Sequence, residues 1–270
     1  MIALMNAPQS SAGATARSTP LARSFRYAYR VPMLAWHLLV DLPLVLLAIT
    51  VVGDRPGEGD RLDHRLIRAW SAGLMRVFGF RMQRFGTPVA GGAMFVANHV
   101  SWVDIQALHS QRMMGFVAKR EIQRWPVIGW MAGRAETIFH SRGSTESLGG
   151  VLHEMLGRMR NGRAVGVFPE GGTRGGGEIG PFHARIFLAS VEAGGPVQPV
   201  ALRYGEGGNA QKVVAFGKGE SFVGNFVRLL GEPARVAEVH FLEPIAPGQA
   251  EGRRRIAELA RERIVAAMAR

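Results

Sequence analysis

The apolar positions of this chain fall into two patterns. From residue 80 onward they form short runs bounded by Gly, Pro, Asn or Asp, such as Met94-Phe95-Val96-Ala97 and Ala164-Val165-Gly166-Val167-Phe168. Runs of that length and composition predict buried strands. Strands are expected at 80–86, 93–97, 115–118, 136–140, 164–168, 197–203 and 234–241. Helices are expected between them, at 102–112, 126–133, 144–161, 183–193, 223–231 and 249–269. Short strands alternating with helices imply an α/β sheet with both faces covered.

The second pattern lies near the N-terminus. Residues 31–53 (VPMLAWHLLVDLPLVLLAITVVG) are mostly apolar, and a spanning helix needs about 20 such residues. His37 and Asp41 interrupt the stretch, and Pro43 should kink it. Arginines flank it on both sides, Arg17, Arg23, Arg26 and Arg30 before, Arg55, Arg61, Arg65, Arg68, Arg76, Arg81 and Arg84 after. Basic residues on both flanks give no clear inside and outside. No small-residue cleavage site precedes Asp54, which argues against a signal peptide. The pattern fits a helix dipping into one leaflet, with a second, amphipathic helix over 63–79 at the interface. A single span or a buried core helix would show the same hydropathy. Residues 1–24 are rich in Ala, Ser and Thr without apolar period, and are expected to be a disordered tail. The chain thus divides into a tail (1–24), a membrane-associated helical region (25–79) and an α/β domain (80–270).

Composition narrows the function classes. An apolar content of 47% supports a real core. Absence of cysteine excludes disulfides, Cys-based metal sites and a Cys nucleophile. A net charge of +12 favours a polyanionic partner. Arginines beside an apolar stretch fit an anionic membrane surface. Nucleic acid is not expected, because the chain has three tyrosines and no basic stripe interleaved with aromatics.

The candidate chemistry begins at Asn98-His99-Val-Ser-Trp-Val-Asp104, after the 93–97 strand. A histidine accepts a proton near neutral pH, and a carboxylate can orient it and stabilise its charged form. His99 and Asp104 are the candidate catalytic residues. They amount to a triad lacking a side-chain nucleophile, so the attacking group should come from a substrate. Ser101 and Asp104 also fit a helix-start signature, which would make Asp104 a cap. No third and fourth ligand stand at a useful spacing, and no metal is expected.

A second constellation follows the 164–168 strand: Pro169-Glu170-Gly171-Gly172-Thr173-Arg174. Pro169 stops the ladder. Glu170 then lies at the strand exit, where α/β sheets place their sites. Gly171 and Gly172 permit close approach of a ligand to backbone, and Arg174 can pair with phosphate. Residues 175–180 match Gly-x-Gly-x-x-Gly, but after a loop and just before Pro181, so a dinucleotide fingerprint is rejected. No phosphate-binding Gly-x-x-x-x-Gly-Lys-Ser/Thr loop and no Gly-x-Ser-x-Gly elbow occurs.

Together, Asn98-His99-x-Ser101-x-x-Asp104 and Phe168-Pro169-Glu170-Gly171 resemble the glycerolipid acyltransferases. Within that family the chain is similar to bacterial 1-acyl-glycerol-3-phosphate acyltransferases and their ornithine-lipid relatives. Phe116 to Trp130, closed by Arg142, looks like the family's second block, and Val197 to Leu202 like its fourth. The resemblance implies a glycerol-3-phosphate acyltransferase-like fold, a mixed sheet flanked by helices. It implies O-acyl transfer from acyl-CoA or acyl carrier protein, with no cofactor, to 1-acyl-sn-glycerol-3-phosphate. Lyso-ornithine lipid is the alternative acceptor, and a non-catalytic anionic-lipid binder is the alternative of another class. His99 would be the general base and Asp104 its orienting partner. Glu170 and Gly171 match the acceptor-binding block, with Lys119, Arg142 and Arg174 as candidates for the acceptor's phosphate. The implied location is the cytoplasmic face of the inner membrane. Two departures stand out: the third block carries an extra glycine or a replaced threonine at Gly172, and His140-Ser141 precede Arg142 where the family often has an acid. His140 is assigned no role.

Overall fold

The computed structural model describes residues 19–52, 61–125, 128–141 and 145–270. The chain begins with α1 (Pro20–Trp36), a π-helical turn (His37–Asp41) and α2 (Leu42–Val52), then α3 (Leu62–Val77). Strands β1 (Phe80–Phe85) and β2 (Met94–Ala97) lead to α4 (Val103–Gln111) and β3 (Gly115–Lys119). Next come α5 (Ile128–Arg134), β4 (Ile138–His140), α6 (Thr145–Arg160) and β5 (Val165–Val167). The last part holds α7 (Leu188–Ala193), β6 (Val197–Tyr204), α8 (Gln211–Val214), α9 (Phe222–Leu230), β7 (Arg235–Phe241) and α10 (Gly252–Met268). All seven expected strands are present, within two residues of their expected ends. The expected helix at 183–193 is instead a 3-10 turn, Ala184–Phe187, running into α7, and α8 was not anticipated.

The strands form one sheet in the order β1-β7-β6-β2-β5-β3-β4. From β6 to β4 all neighbours are parallel, while β7 runs antiparallel to β6 and carries β1 parallel to itself. The sheet is therefore mixed, as expected. β2 and β5 lie at its centre, and every residue of both is buried. Alternate side chains of β2 reach opposite layers. Phe95 and Ala97 pack with Leu74, Ala107 and Leu108 from α3 and α4. Met94 and Val96 pack with Met155, Met159, Ile256 and Ala260 from α6 and α10. Five strands running the same way bring the exits of β2, β3, β5 and β6 to one edge.

The N-terminal helix differs from expectation in three ways. It starts at Pro20, with Thr19 Oγ1 accepting from Ala22 N at 3.3 Å. A proline in the first turn loses no hydrogen bond. The expected disordered tail therefore does not reach residue 24, and residues 1–18 lie outside the described residues. Second, the disturbance expected at Pro43 takes the form of a π turn, and the helix runs on. The π turn ahead of it, closed by Leu42 N–H to His37 C=O, absorbs the missing donor and the ring's bulk. Third, two arginines of α1 bind the end of α9. Arg26 Nη1 donates to Gly231 O at 3.1 Å, and Arg30 Nη1 to Leu230 O at 3.0 Å and Glu232 O at 2.7 Å. These carbonyls sit at the C-terminus of α9, the negative end of its dipole. Gly79, at φ 79°, leaves the space that the Arg30 guanidinium fills.

Farther along, Leu42 and Leu46 pack into the same core as Trp70 and Leu74 of α3, and Ile49 meets Ile67. The opposite face is bare: Leu21, Phe25, Trp36, Leu39, Leu47 and Val51 are all exposed.

Candidate active site

The site is built from the exits of β2, β5 and β6. Asn98 closes β2 onto β6: its Nδ2 donates to Leu202 O at 3.0 Å and its Oδ1 accepts from Leu202 N at 2.8 Å. The chain then turns through His99 into α4. Ser101 Oγ accepts from Val103 N at 3.2 Å, and Asp104 Oδ2 accepts from Ser101 N at 2.9 Å. These bonds are a variant of the capping box, with the serine bonding two residues on rather than three. The same carboxylate oxygen accepts from Val100 N at 2.6 Å and from His99 Nδ1 at 2.7 Å. Asp104 therefore caps the helix and holds the histidine at once.

A carboxylate only accepts, so His99 carries its proton on Nδ1, and the Nε2 lone pair is left over. Nε2 has no hydrogen-bond partner among the described residues. The imidazole is 16% exposed, whereas Asp104 is fully buried. One imidazole face lies on Phe168, with ring centroids 3.9 Å apart and planes at 13°. Phe116 stacks behind Phe168 at 5.3 Å. The ring is thus fixed in plane by Asp104 and in tilt by two aromatic side chains.

The loop after β5 grips the His99 peptide from both sides. Glu170 Oε1 accepts from His99 N at 3.0 Å, and Arg174 N donates to His99 O at 2.9 Å. The other oxygen, Oε2, accepts from Gly180 N at 2.9 Å and lies 3.6 Å from Arg174 Nε. Glu170 is 4% exposed. Its carboxylate is engaged by backbone, which gives it a part in loop geometry that the sequence pattern alone did not show. Gly171 has φ 74°, and a β-carbon there would crowd His183. A residue with a side chain would meet both penalties.

Of the sequence-identified residues, His99, Asp104, Glu170, Gly171 and Arg174 come together. The Arg174 side chain is 48% exposed at the mouth. Lys119 ends β3, on the same sheet edge but across β5 from His99, and is exposed. Arg142 lies outside the described residues. Two contributors went unrecognised: Phe168, quoted only as part of a motif, and Tyr204, whose hydroxyl donates to Asp104 Oδ1 at 2.5 Å. Tyr204 stands two residues beyond the Val197–Leu202 block, at the end of a wholly buried strand. Burial, then the Asp104 charge and hydrogen bond, push its phenol well above the usual tyrosine range, so it stays a donor. Among the described residues no cluster of three or more His, Asp or Glu could hold a metal ion.

A held imidazole with a free lone pair, and no side-chain nucleophile beside it, suits group transfer in which the substrate supplies the attacking atom. A family model described as Acyltransferase matches residues 82–203. A lyso-ornithine lipid O-acyltransferase from Pseudomonas aeruginosa is 36% identical over 227 residues, covering 83% of this chain and 86% of that protein. A 1-acyl-sn-glycerol-3-phosphate acyltransferase from Neisseria gonorrhoeae is 39% identical over 113 residues, covering 42% of this chain and 44% of that protein. The crystal structure of the 1-acyl-sn-glycerophosphate acyltransferase PlsC from Thermotoga maritima shares the fold, with TM-score 0.70 over 92% of this chain and 93% of that one at 18% identity. The chain belongs to the lysophospholipid acyltransferase family.

Proposed function

We propose that the protein is a membrane-seated lysolipid O-acyltransferase whose acceptor is lyso-ornithine lipid. The reaction rests on the His99–Asp104–Phe168 geometry. A lysolipid hydroxyl placed at Nε2 loses its proton to His99 as its oxygen attacks an acyl thioester. The new ester C–O bond forms, the C–S bond breaks, and the imidazolium returns the proton to the leaving thiolate. The donor is acyl-CoA or acyl carrier protein, and no cofactor takes part. Arg174 and Lys119 supply positive charge for the acceptor's anionic group. The acceptor rests on one observation. Similarity to a lyso-ornithine lipid O-acyltransferase extends over 83% of this chain, while the matched Neisseria 1-acyl-sn-glycerol-3-phosphate acyltransferase covers 42%. The higher identity of that shorter match, 39% against 36%, keeps 1-acyl-sn-glycerol-3-phosphate as the second reading, with phosphatidic acid as its product.

The membrane seat is the bare face of α1 and α2, in a helical run with mean hydropathy 2.1 over its most apolar window. That run is bolted to α9 at one end and to α3 along the rest. A helix so attached fits burial in one leaflet better than an independent span, and an acyl-CoA or acyl carrier protein donor would put the domain on the cytoplasmic face of the inner membrane. Trp102, at the start of α4, joins Phe222 and, through it, the half-exposed Trp125 in an aromatic path toward exposed Val223 of α9. Such a path suits lipid entering from the bilayer.

The test offers purified protein in mixed micelles both lysolipids, each with acyl-CoA and with acyl carrier protein as donor, and measures product by mass spectrometry. Faster acylation of lyso-ornithine lipid is expected. Preference for 1-acyl-sn-glycerol-3-phosphate overturns the acceptor, and no transfer in any pairing overturns the reaction.

A further inference from the structure

The proposed chemistry uses one oxygen of Asp104. Oδ2 receives His99 Nδ1, Val100 N and Ser101 N. Oδ1 points the other way, into the sheet, and receives the Tyr204 hydroxyl. The two residues are 100 positions apart in the chain, and both are buried. We propose that Tyr204 is a positioning residue of this site: its hydroxyl fixes the rotation of the Asp104 carboxylate and sets how strongly that carboxylate pulls on the His99 imidazole. The inference rests on His99 acting as the base.

The hydroxyl is held from several sides. Tyr204 is the last residue of β6, and its main-chain N donates to Gln211 Oε1 at 2.8 Å. Gln211 Nε2 donates in turn to Leu202 O at 3.0 Å. The ring lies edge-on to Phe80 at 5.8 Å, and Gly205, at φ 78°, turns the chain away immediately afterwards. The phenol is therefore presented from a rigid element rather than a loop. A carboxylate torsion is soft and nearly two-fold. With a donor on Oδ1 and three on Oδ2, it has one orientation in which all four bonds survive.

The second consequence is electrostatic. A phenol that donates to a carboxylate draws off part of its negative charge. Less charge then faces Nδ1–H, and the imidazolium is stabilised less. Tyr204 thus tunes, besides orienting, the carboxylate that faces the ring. Other charged groups face the same imidazole region. Glu170 binds the His99 main-chain N–H, Arg174 lies beside Glu170, and His183 packs by Gly171. None of these touches Oδ1. A merely structural tyrosine would satisfy a buried acceptor, and its loss would lower stability without moving the titration of His99.

The experiment reads that titration directly. The full chain, in detergent micelles and ring-labelled at histidine, is titrated by NMR, with His99→Gln assigning the resonance and His183→Gln removing the neighbouring titration. Tyr204→Phe is expected to move the His99 titration upward. 3-Fluorotyrosine, a more acidic and stronger donor, is incorporated into a Tyr27→Phe/Tyr29→Phe chain, where Tyr204 is the one tyrosine left. It is expected to move the titration the opposite way. In the pH profile of acyl transfer, the acid limb should follow the same shifts. In Tyr204→Phe, kcat should fall about five- to tenfold, the scale of one neutral hydrogen bond, with KM unchanged. An unmoved His99 titration in both variants overturns the proposal. If Tyr204→Phe does not fold, the fluorotyrosine chain decides alone. If no lysolipid is acylated, the acyl-transfer reading fails while the NMR shift still decides the coupling.

Discussion

His37 and His99 each present Nδ1 to an aspartate, at 2.9 Å from Asp41 and 2.7 Å from Asp104. Each also lies flat on an aromatic ring, Trp70 at 4.9 Å and Phe168 at 3.9 Å. The difference lies in the rest of each pair. His37 Nε2 meets the Trp70 carbonyl at 3.0 Å, so it offers no lone pair to a substrate. Its aspartate side chain is 41% exposed, while Asp104 is fully buried under four donors. The first pair joins the N-terminal helix to α3. The second keeps one nitrogen free at the sheet edge. Proton chemistry at a His–Asp pair requires that free nitrogen and a carboxylate that cannot turn.

The largest effect should come from removing the free nitrogen. His99→Ala is expected to lower kcat/KM for lysolipid acylation about a thousandfold, within the range of a lost general base. The fold should survive, because Asp104 keeps Val100 N, Ser101 N and Tyr204 as partners. Initial rates and a thermal melt on the same sample check both halves. Activity within tenfold of the parent would falsify the role given to His99.

His37→Ala should do the reverse. It removes a buried ring stacked on Trp70 and leaves a void beside Gly73, whose missing β-carbon admits the imidazole. A loss of about 2–3 kcal/mol of stability is expected, with kcat per folded molecule unchanged. Melting of the micelle-bound protein gives the first number and assays well below the transition give the second. A fall in kcat at unchanged melting temperature would erase the distinction between the two pairs.

The two pairs also show what the sequence makes legible. The strands at 93–97 and 164–168 were readable because central parallel strands are apolar on both faces, and Pro169 marks where the second must stop. His99 and Asp104 were readable because one turn of chain carries both. Tyr204 was not, because its partner lies on another strand's exit and only the β6–β2 pairing joins them. Glu170 shows another limit: the motif marked the residue, but its bonds run to the main chain of His99 and Gly180, which composition does not encode. The arginines of α1 read as a membrane flank by count. The end of α9 claims two of them, a contact made across some 200 residues of chain.

His109 extends the comparison to a histidine that bonds no carboxylate and feels Glu136 only through its charge. It is buried in α4, its Nε2–H donates to Met114 O at 2.9 Å, and Phe116 meets it edge-on at 5.1 Å. Burial pulls its pKa down to about 4, only partly offset by that hydrogen bond. The unfolded chain takes up this proton near pH 6.5, while the folded chain resists until about pH 4. Between those values the unfolded state binds more protons, so stability falls as pH drops through the window and levels off below it. The expected loss from this one group between pH 6.5 and 5 is about 2 kcal/mol. His109→Gln keeps a donor for the Met114 carbonyl but cannot titrate. Its melting temperature should therefore fall less than the parent's over the same pH change. Equal acid sensitivity in the two proteins would mean that His109 is already solvated in the folded state, and that burial without a bonded carboxylate does not keep a histidine neutral here.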